Sequence, residues 1–254
     1  MNLEFETKAE TLSLLQNAGF KVQNLFYFSV RQWFSSQSHI IDRVQRTFKN
    51  HDAVIVRSSS QAEDSESSSC AGAFESILNV DFKDESKLKI AIESVIASYT
   101  GESGDQVLVQ PMVHDIALSG VIMIRCLEDG SPYYVINYDD ESGKTDSITG
   151  GTGVSKTIYI YNGVAREDFD SQRVCKIMKM VQQLEDCFHS VPLDIEFCQT
   201  RDQKVHLLQV RRIATHSRWD PNVEKIVSSK ISFVKEFGVN LENSWVIDRC
   251  PLKS

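Results

Sequence analysis

The sequence predicts an α+β protein with two lobes, each formed by a mainly antiparallel sheet with flanking helices. Strand-like stretches follow one another across short turns, as at 118–125 and 133–138, which a Glu-Asp-Gly-Ser-Pro turn separates. Only four residues separate the stretches 193–200 and 205–213, and a link of that length favours an antiparallel hairpin. Helical patterns lie between the strands. We therefore expect sheets built largely from antiparallel pairs, with helices beside them.

Each element has its own local signal. Apolar residues at helical spacing predict helices at 7–18, 31–49, 86–99, 170–189 and 221–237. Apolar or alternating runs predict strands at 20–30, 53–56, 74–80, 106–113, 118–125, 133–138, 156–161, 193–200 and 205–213. Thr7 and Glu10 fit a capping box at the first helix, and Gly19 ends that helix. Pro111 predicts that its strand lies at a sheet edge or ends there.

Composition and charge narrow the class of protein. The 254 residues are 41% hydrophobic and 24% charged, which is ordinary for a globular chain. A formal net charge of −8 argues against general nucleic-acid binding, although a phosphate site needs only local cations. No apolar run reaches the length of a membrane span. Six scattered cysteines without a CxxC pair are typical of reduced thiols, so we expect a cytoplasmic protein. From the charge and the lack of a long apolar run, we expect neither nucleic acid nor a membrane as partner.

The stretch from residue 53 to residue 80 suggests a phosphate site. The apolar run 53–56 is expected to stop at Arg57, where serines and a small-residue turn containing Gly72 follow. A guanidinium group offers forked donors that match phosphate oxygens, and small residues let backbone N–H groups approach the same anion. The alternative is a surface loop in which Arg57 pairs with Glu63 or Asp64.

The hairpin at 193–213 suggests a metal site. Period two places Asp194 and Glu196 on one face of the first strand, and Gln209 and Arg211 on one face of the second. If these faces align, oxygen ligands of the kind that Mg²⁺ prefers converge, with Arg211 at the rim. The alternative is a solvated face of the hairpin.

The order of these motifs resembles the nucleotide-binding domain of the pyruvate phosphate dikinase and phosphoenolpyruvate synthase family, which is ATP-grasp-like. The matching segments are Arg-Ser-Ser from residue 57, DIEF from residue 194, LLQVRR from residue 207, and Lys8 ahead of a Gly-Phe-x-Val turn. The resemblance implies an N-terminal lobe at 1–105 with the phosphate loop and an ATP-grasp lobe at 106–216 with the metal site. Residues 217–254 are expected to form a helical extension or a linker to further domains.

The resemblance also implies roles for individual residues. Lys8 and Arg57 contact the ATP phosphates, under a loop at 69–73 that contains Gly72. Backbone groups near Gln110 and Met112 read the adenine edge, although the segment also fits an ordinary core strand.

At the hairpin, the resemblance assigns Glu196 and Gln209 to Mg²⁺. It assigns Asp194 and Arg211 to the nucleotide site, with Arg57 and Arg211 as the catalytic residues. A glycine-rich segment at 139–153 is either a lid over the phosphates, with Lys144 in contact, or a long hairpin loop.

The activity implied is transfer of the β-phosphoryl group of ATP to a histidine on a separate domain, with release of AMP and phosphate. The phosphoryl group then passes to a small acceptor such as pyruvate or the amide of glutamine. None of the six histidines resembles the carrier, so we expect the chain to be the ATP-binding portion of a larger enzyme. The sequence also resembles the family branch found with capsule biosynthesis, which includes L-glutamine kinase. A nucleotide-sensing module without catalysis and a stand-alone ATP-grasp ligase remain the alternatives.

Overall fold

A computed structural model describes most of the chain, which divides into two compact units. The N-terminal unit comprises Glu4–His114 together with His206–Gln209, and the C-terminal unit comprises Met1–Leu3, Asp115–Val205 and the residues from Val210 onward. The described residues are 3–60, 75–99, 104–143, 156–164, 169, 171–189, 191–213 and 219–236.

The N-terminal unit is a four-stranded antiparallel sheet with three helices. Its elements are α1 (Lys8–Asn17), β1 (Phe26–Ser29), α2 (Val30–Thr47), β2 (Val54–Ser59), β3 (Ser76–Val80), α3 (Glu85–Ala97) and β4 (Gln106–Pro111). The strand order is β1-β4-β2-β3. The predicted boundary after residue 105 differs from the observed division, because β4 lies with the elements that precede it.

One apolar core holds this sheet to its helices. Trp33 lies on α2, Phe48 is the C-cap of that helix, and Leu88 and Ile92 lie on α3. They pack with strand residues such as Val56, and all five side chains are completely buried. Burying a side chain of this size stabilises the fold by about 1.5–3 kcal/mol. The core therefore fixes the strands whose ends carry the predicted site residues.

The N-cap and the glycine stop of the first helix lie where the sequence predicts them. Thr7 is the N-cap of α1, and its hydroxyl accepts a hydrogen bond from the N–H of Glu10 at 3.3 Å. The same hydroxyl lies 2.9 Å from the Glu10 carboxylate. Gly19 has φ +93°, a backbone conformation that favours glycine, directly after the C-cap Ala18.

Two details of the N-terminal sheet differ from the sequence-based expectation. The prediction that the strand at 53–56 stops at Arg57 is wrong, because β2 continues to Ser59 and pairs with β4 throughout. Of the two alternatives for Pro111, the edge position is wrong, because β4 lies between β1 and β2. Pro111 instead ends its strand, where its missing N–H interrupts the sheet least.

The C-terminal unit is a five-stranded sheet with two helices. Its elements are β5 (Ile116–Met123), β6 (Tyr133–Asp139), β7 (Lys156–Tyr161), α4 (Gln172–Cys187), β8 (Leu193–Thr200), β9 (Val205–Arg212) and α5 (Val223–Glu236). Of β9, His206–Gln209 belong to the N-terminal unit and the other residues to this one. The strand order is β7-β6-β5-β8-β9. The registers of β5 with β6, β5 with β8 and β6 with β7 are antiparallel. Of these pairs, β5 with β6 is the one that the predicted Glu-Asp-Gly-Ser-Pro turn joins. Within the described residues, no helix is both long and apolar enough to span a bilayer.

Glycine allows two close approaches in this unit. A Cβ at Gly120 of β5 would run into the backbone carbonyl oxygen of Asn137 and would lie 3.0 Å from the Cβ of Tyr138 on β6. At Gly130 (φ +75°), a Cβ would lie 2.7 Å from the ring of Trp219, whose indole N–H donates to the carbonyl of Leu127 at 3.0 Å. The second contact joins Trp219, which precedes α5, to the turn that follows β5.

Candidate functional site

Lys8 is buried at the start of α1, with only 4% of its surface exposed. Desolvation disfavours an ammonium group in such a place, and the positive end of the helix dipole adds to the penalty. A lysine at the end of a surface helix is usually solvated. The burial of Lys8 therefore distinguishes it from an ordinary surface lysine.

Buried hydroxyl groups lie in the same part of the N-terminal unit. Ser58, Ser59 and Ser60 are each at most 1% exposed. The backbone N–H of Ala9 donates to the Oγ of Ser59 at 2.9 Å, which joins the first turn of α1 to the end of β2. This bond brings the residue after Lys8 to the serine run that follows Arg57. A cation, hydroxyl groups and a helix N-terminus together suit phosphate oxygens.

Arg57 lies within β2, where it is the cross-strand partner of Leu108 on β4. Its Nη1 donates to the carbonyl of Leu208 at 3.0 Å, and its Nη2 donates to Oε1 of Gln209 at 3.2 Å. Both acceptors belong to the His206–Gln209 segment, which is part of the same unit. The structure thus brings two predicted site residues, Arg57 and Gln209, into direct contact.

The same segment is held to the N-terminal unit at a second point. Leu207 forms a parallel bridge with Val22, and its N–H donates to the carbonyl of Lys21 at 2.9 Å. His206 lies 3.2 Å from the side-chain amide of Gln23 through its Nδ1. The position of Gln209 beside Arg57 is therefore supported by the contacts of the residues before it with Lys21, Val22 and Gln23, as well as by its own side chain.

Asp194 and Arg211 form an ion pair within the C-terminal unit. The Nε of Arg211 donates to Oδ2 of Asp194 at 2.6 Å; the two side chains are 29% and 6% exposed, respectively. Burial raises the pKa of Asp194 above its usual value, Arg211 opposes that shift, and the nearby Glu196 adds to it. Among the described residues, Oδ1 of Asp194 is buried without a hydrogen-bond partner. That oxygen is available to a cation or a donor supplied by a ligand.

Glu196 lies on β8 opposite Val121 of β5 and is half-buried. In the described part of the chain, no group of three or more His, Cys, Asp or Glu side chains is arranged to hold a metal. The carboxylate of Glu196 and the buried Oδ1 of Asp194, both in the C-terminal unit, are nevertheless hard oxygen donors of the kind that Mg²⁺ takes, so these two residues fit such an ion. The assignment of Glu196 and Gln209 as joint ligands stays a prediction, because they belong to different units.

The two residues assigned to the adenine edge lie at the end of β4. Gln110 is 5% exposed and pairs with Ile55 of β2. Met112 follows the strand, and its N–H donates to the carbonyl of Ala53 at 3.2 Å. That N–H is already engaged within the sheet, which constrains how Met112 would read a base. The adenine-binding role of both residues stays a prediction.

Several predicted contacts lie outside the described residues. These are Gly72 and its loop at 69–73, Glu63 and Asp64 as alternative partners of Arg57, and Lys144 with the rest of its loop from 144 to 153. The C-terminal region is described as far as α5, which confirms the helical prediction there.

Sequence reasoning missed the polar residues that support Lys8. Tyr99 is the last residue of the predicted helix 86–99, and Gln106 is the first residue of the predicted strand 106–113; nothing in either pattern indicates a role for the side chain. Both make hydrogen bonds with residues distant in the sequence. The one available signal was that a tyrosine on the buried side of a helix needs a partner for its hydroxyl.

Comparison with known proteins defines the class. The family model described as "Pyruvate phosphate dikinase, AMP/ATP-binding domain" matches residues 6–139, which is more than half of the chain. The chain belongs to this family of ATP-utilising enzymes. The match and the two antiparallel sheets confirm the predicted α+β, ATP-grasp-like fold. No curated protein matches.

Three solved structures illustrate the likeness. PH1788 from Pyrococcus horikoshii has a TM-score of 0.52 at 14% identity, with 82% of this chain and 90% of that chain covered. D-alanyl-alanine synthetase A from Vibrio cholerae has a TM-score of 0.47 at 13% identity, with 87% and 59% covered. The D-alanine-D-alanine ligase from Coxiella burnetii has a TM-score of 0.48 at 13% identity, with 91% and 61% covered. The chain therefore spans about three fifths of the length of the last two proteins.

Proposed function

We propose that the chain binds Mg·ATP and supplies the β-phosphoryl group in a dikinase-type phosphotransfer. Its membership in a family of AMP/ATP-binding domains makes nucleotide binding the expected activity. The observation that carries the proposal is Lys8, which is buried where the start of α1 meets the serine run of β2. An ammonium group and neighbouring hydroxyl groups are donors that suit the oxygens of a polyphosphate.

Each predicted residue has a distinct part in this proposal. Lys8 and Arg57 bind phosphate oxygens and offset the negative charge that shifts during transfer. The observed contact of Arg57 with Leu208 and Gln209 holds its guanidinium in place, which reduces the reorganisation needed when the nucleotide binds. Gln110 and Met112 contact the base, and Gly72 contributes a backbone N–H to the phosphates.

Magnesium would be held by Glu196 and Gln209, with Asp194 and Arg211 beside the nucleotide. The donors are carboxylate and amide oxygens, and the buried Oδ1 of Asp194 supports the presence of a positive group nearby. When bound, the ion would offset phosphate charge and orient the chain of phosphates. Arg211 restrains the orientation of Asp194 through the 2.6 Å hydrogen bond.

The proposed reaction joins a histidine nitrogen to the β-phosphorus and breaks the bond between that phosphorus and the oxygen that leaves with AMP. The γ-phosphoryl group goes to water or phosphate. The histidine belongs to a separate domain, in cis or in trans, and passes the group to a small acceptor such as a pyruvate-like compound or the amide of glutamine. Positioning supplies much of the rate in phosphoryl transfer, so the 254-residue chain alone is expected to bind ATP and turn it over poorly.

Isothermal titration with a non-hydrolysable ATP analogue and Mg²⁺ tests the site. We expect Arg57→Ala and Glu196→Ala to abolish or strongly weaken binding. Matched controls are Arg46→Ala on α2 and Glu93→Ala on α3, whose side chains are 79% and 48% exposed. The controls should bind as the wild type does. Unchanged affinity in both site variants would refute the assignment.

Product analysis tests the reaction class. With a carrier domain added in trans, label from β-³²P-ATP should appear on a histidine of that domain while AMP is released. Lasting label on the histidine from γ-³²P-ATP but not from β-³²P-ATP would contradict dikinase chemistry. Release of ADP in place of AMP would favour a ligase. Nucleotide binding without any transfer would favour a sensing module.

A further inference from the structure

The hydroxyl of Tyr99 bridges two strands of the N-terminal unit. It accepts a hydrogen bond from the N–H of Ser59 at 3.0 Å and donates a short one to the carbonyl of Gln106. Ser59 and Gln106 are cross-strand partners at one end of the β2–β4 pair. The phenol group therefore sets the spacing of the two backbones at the place where β2 ends.

The side chain of Gln106 continues this connection to α1. Its Nε2 donates to Oε1 of Glu10 at 2.9 Å, and its Oε1 accepts from the hydroxyl of Thr7 at 2.8 Å. Thr7 is the N-cap of α1, and Glu10 lies in the first turn. Gln106 thus ties the first turn of the helix to the strand that Tyr99 holds.

Ser59 provides the second connection to the same turn, through its Oγ and the N–H of Ala9. Lys8 therefore stands between two anchored neighbours: Thr7 is held by Gln106, and Ala9 is held by Ser59. Both anchors are hydrogen-bonded through their backbone to Tyr99. The position of the Lys8 backbone depends on a network whose centre is one phenol hydroxyl.

We propose that Tyr99 is a positioning residue for Lys8. Its hydroxyl fixes Ser59 and Gln106, and these two residues hold the first turn of α1 so that Lys8 meets the nucleotide phosphates. The inference rests on the proposed binding of ATP and goes beyond it, since it names a residue just after the end of α3 that acts through others. Without the hydroxyl, the backbones of β2 and β4 shift, and α1 loses its alignment.

The test is Tyr99→Phe, which keeps the ring and deletes only the bridging hydroxyl. We expect its affinity for the non-hydrolysable ATP analogue to fall about fivefold, because the loss of a positioning hydrogen bond weakens the lysine–phosphate contact. Affinity for adenosine, which has no phosphate, should not change. Tyr27→Phe on β1 is the matched control and should bind both ligands as the wild type does.

A double-mutant cycle with Lys8→Met separates positioning from a general structural effect. If Tyr99 acts through Lys8, the Tyr99→Phe substitution should have no further effect on ATP affinity once Lys8 is replaced. Additive losses, or an equal loss of adenosine affinity, would overturn the inference. Gln106→Met repeats the test if Tyr99→Phe fails to fold, because it removes both side-chain bonds to α1 and leaves the backbone carbonyl in place.

The outcomes also separate this inference from the proposed function. If the wild type does not bind the ATP analogue, the proposed function fails. If the wild type binds and Tyr99→Phe binds equally well, the proposed function stands and the role of Tyr99 is refuted.

Discussion

Replacing Ser59 with alanine should destabilise the N-terminal unit measurably, although it deletes a single oxygen atom. The Oγ of Ser59 accepts from the N–H of Ala9, the second residue of α1. The N-cap side chain of Thr7 serves the N–H of Glu10. Ser59 therefore acts as a tertiary cap for a helix donor that has no partner within its own helix.

The expected magnitude follows from burial. Ser59 and Ala9 are both 0% exposed, so water does not reach the N–H that the substitution leaves without an acceptor. A buried donor without a partner costs about 1–3 kcal/mol. The backbone N–H of Ser59 keeps its bond to Tyr99, which limits the loss to one interaction. We expect the free energy of unfolding to fall by about 2 kcal/mol.

Urea unfolding monitored by circular dichroism measures the overall change, and hydrogen exchange of the α1 peptides locates it. Ser35→Ala is the matched control, because the Ser35 hydroxyl lies on the exposed side of α2, where it bonds to the carbonyl of Gln32. The control should stay within about 0.5 kcal/mol of the wild type. An equally small change in Ser59→Ala, with unchanged exchange at α1, would refute the tertiary cap.

Two further predictions concern the C-terminal unit. Because burial raises the pKa of Asp194 above 3.8, its contribution to stability is present at low pH and is lost as the pH rises through the folded-state pKa. Asparagine does not titrate, so the free energy of unfolding of Asp194→Asn, measured in urea, should rise relative to that of the wild type as the pH goes from acidic to neutral. If the difference between the two proteins changes in the opposite direction, the attraction of Arg211 outweighs the effect of burial. Gly120→Ala should lower the free energy of unfolding by about 1–3 kcal/mol, since its Cβ would meet the backbone of Asn137 on a paired strand. Denaturation midpoints equal to those of the wild type would contradict that steric argument.

Elements with a strong local pattern were predicted closely. The strand bounds 156–161 and 193–200 agree with β7 and β8, and α1 has the predicted N-cap and glycine stop. Alternation and helical periodicity arise from which side of one segment is buried, so they can be read within a short window. The family could also be recognised, because its motifs are short segments in a fixed order, and the family match confirms it.

The end of β2 could not be predicted from the same kind of signal. Ser58 and Ser59 look like the start of a loop, yet both are buried and continue the pairing of β2 with β4. Serine has no strong preference for a strand, and its place here depends on a partner strand about 50 residues further along the chain. The local pattern of hydrophobic residues does not indicate such a long-range contact.

The sequence by itself determined most of the secondary structure, the family and the candidate residues. The tertiary structure alone decided which of these residues meet. It placed Arg57 against Leu208 and Gln209, separated by 151 and 152 positions, and it put Lys8 between anchors on β2 and β4. The physical reason is that a polar site is assembled by hydrogen bonds between distant segments, whose partners are chosen by packing of the sheet and not by the pattern of any one segment.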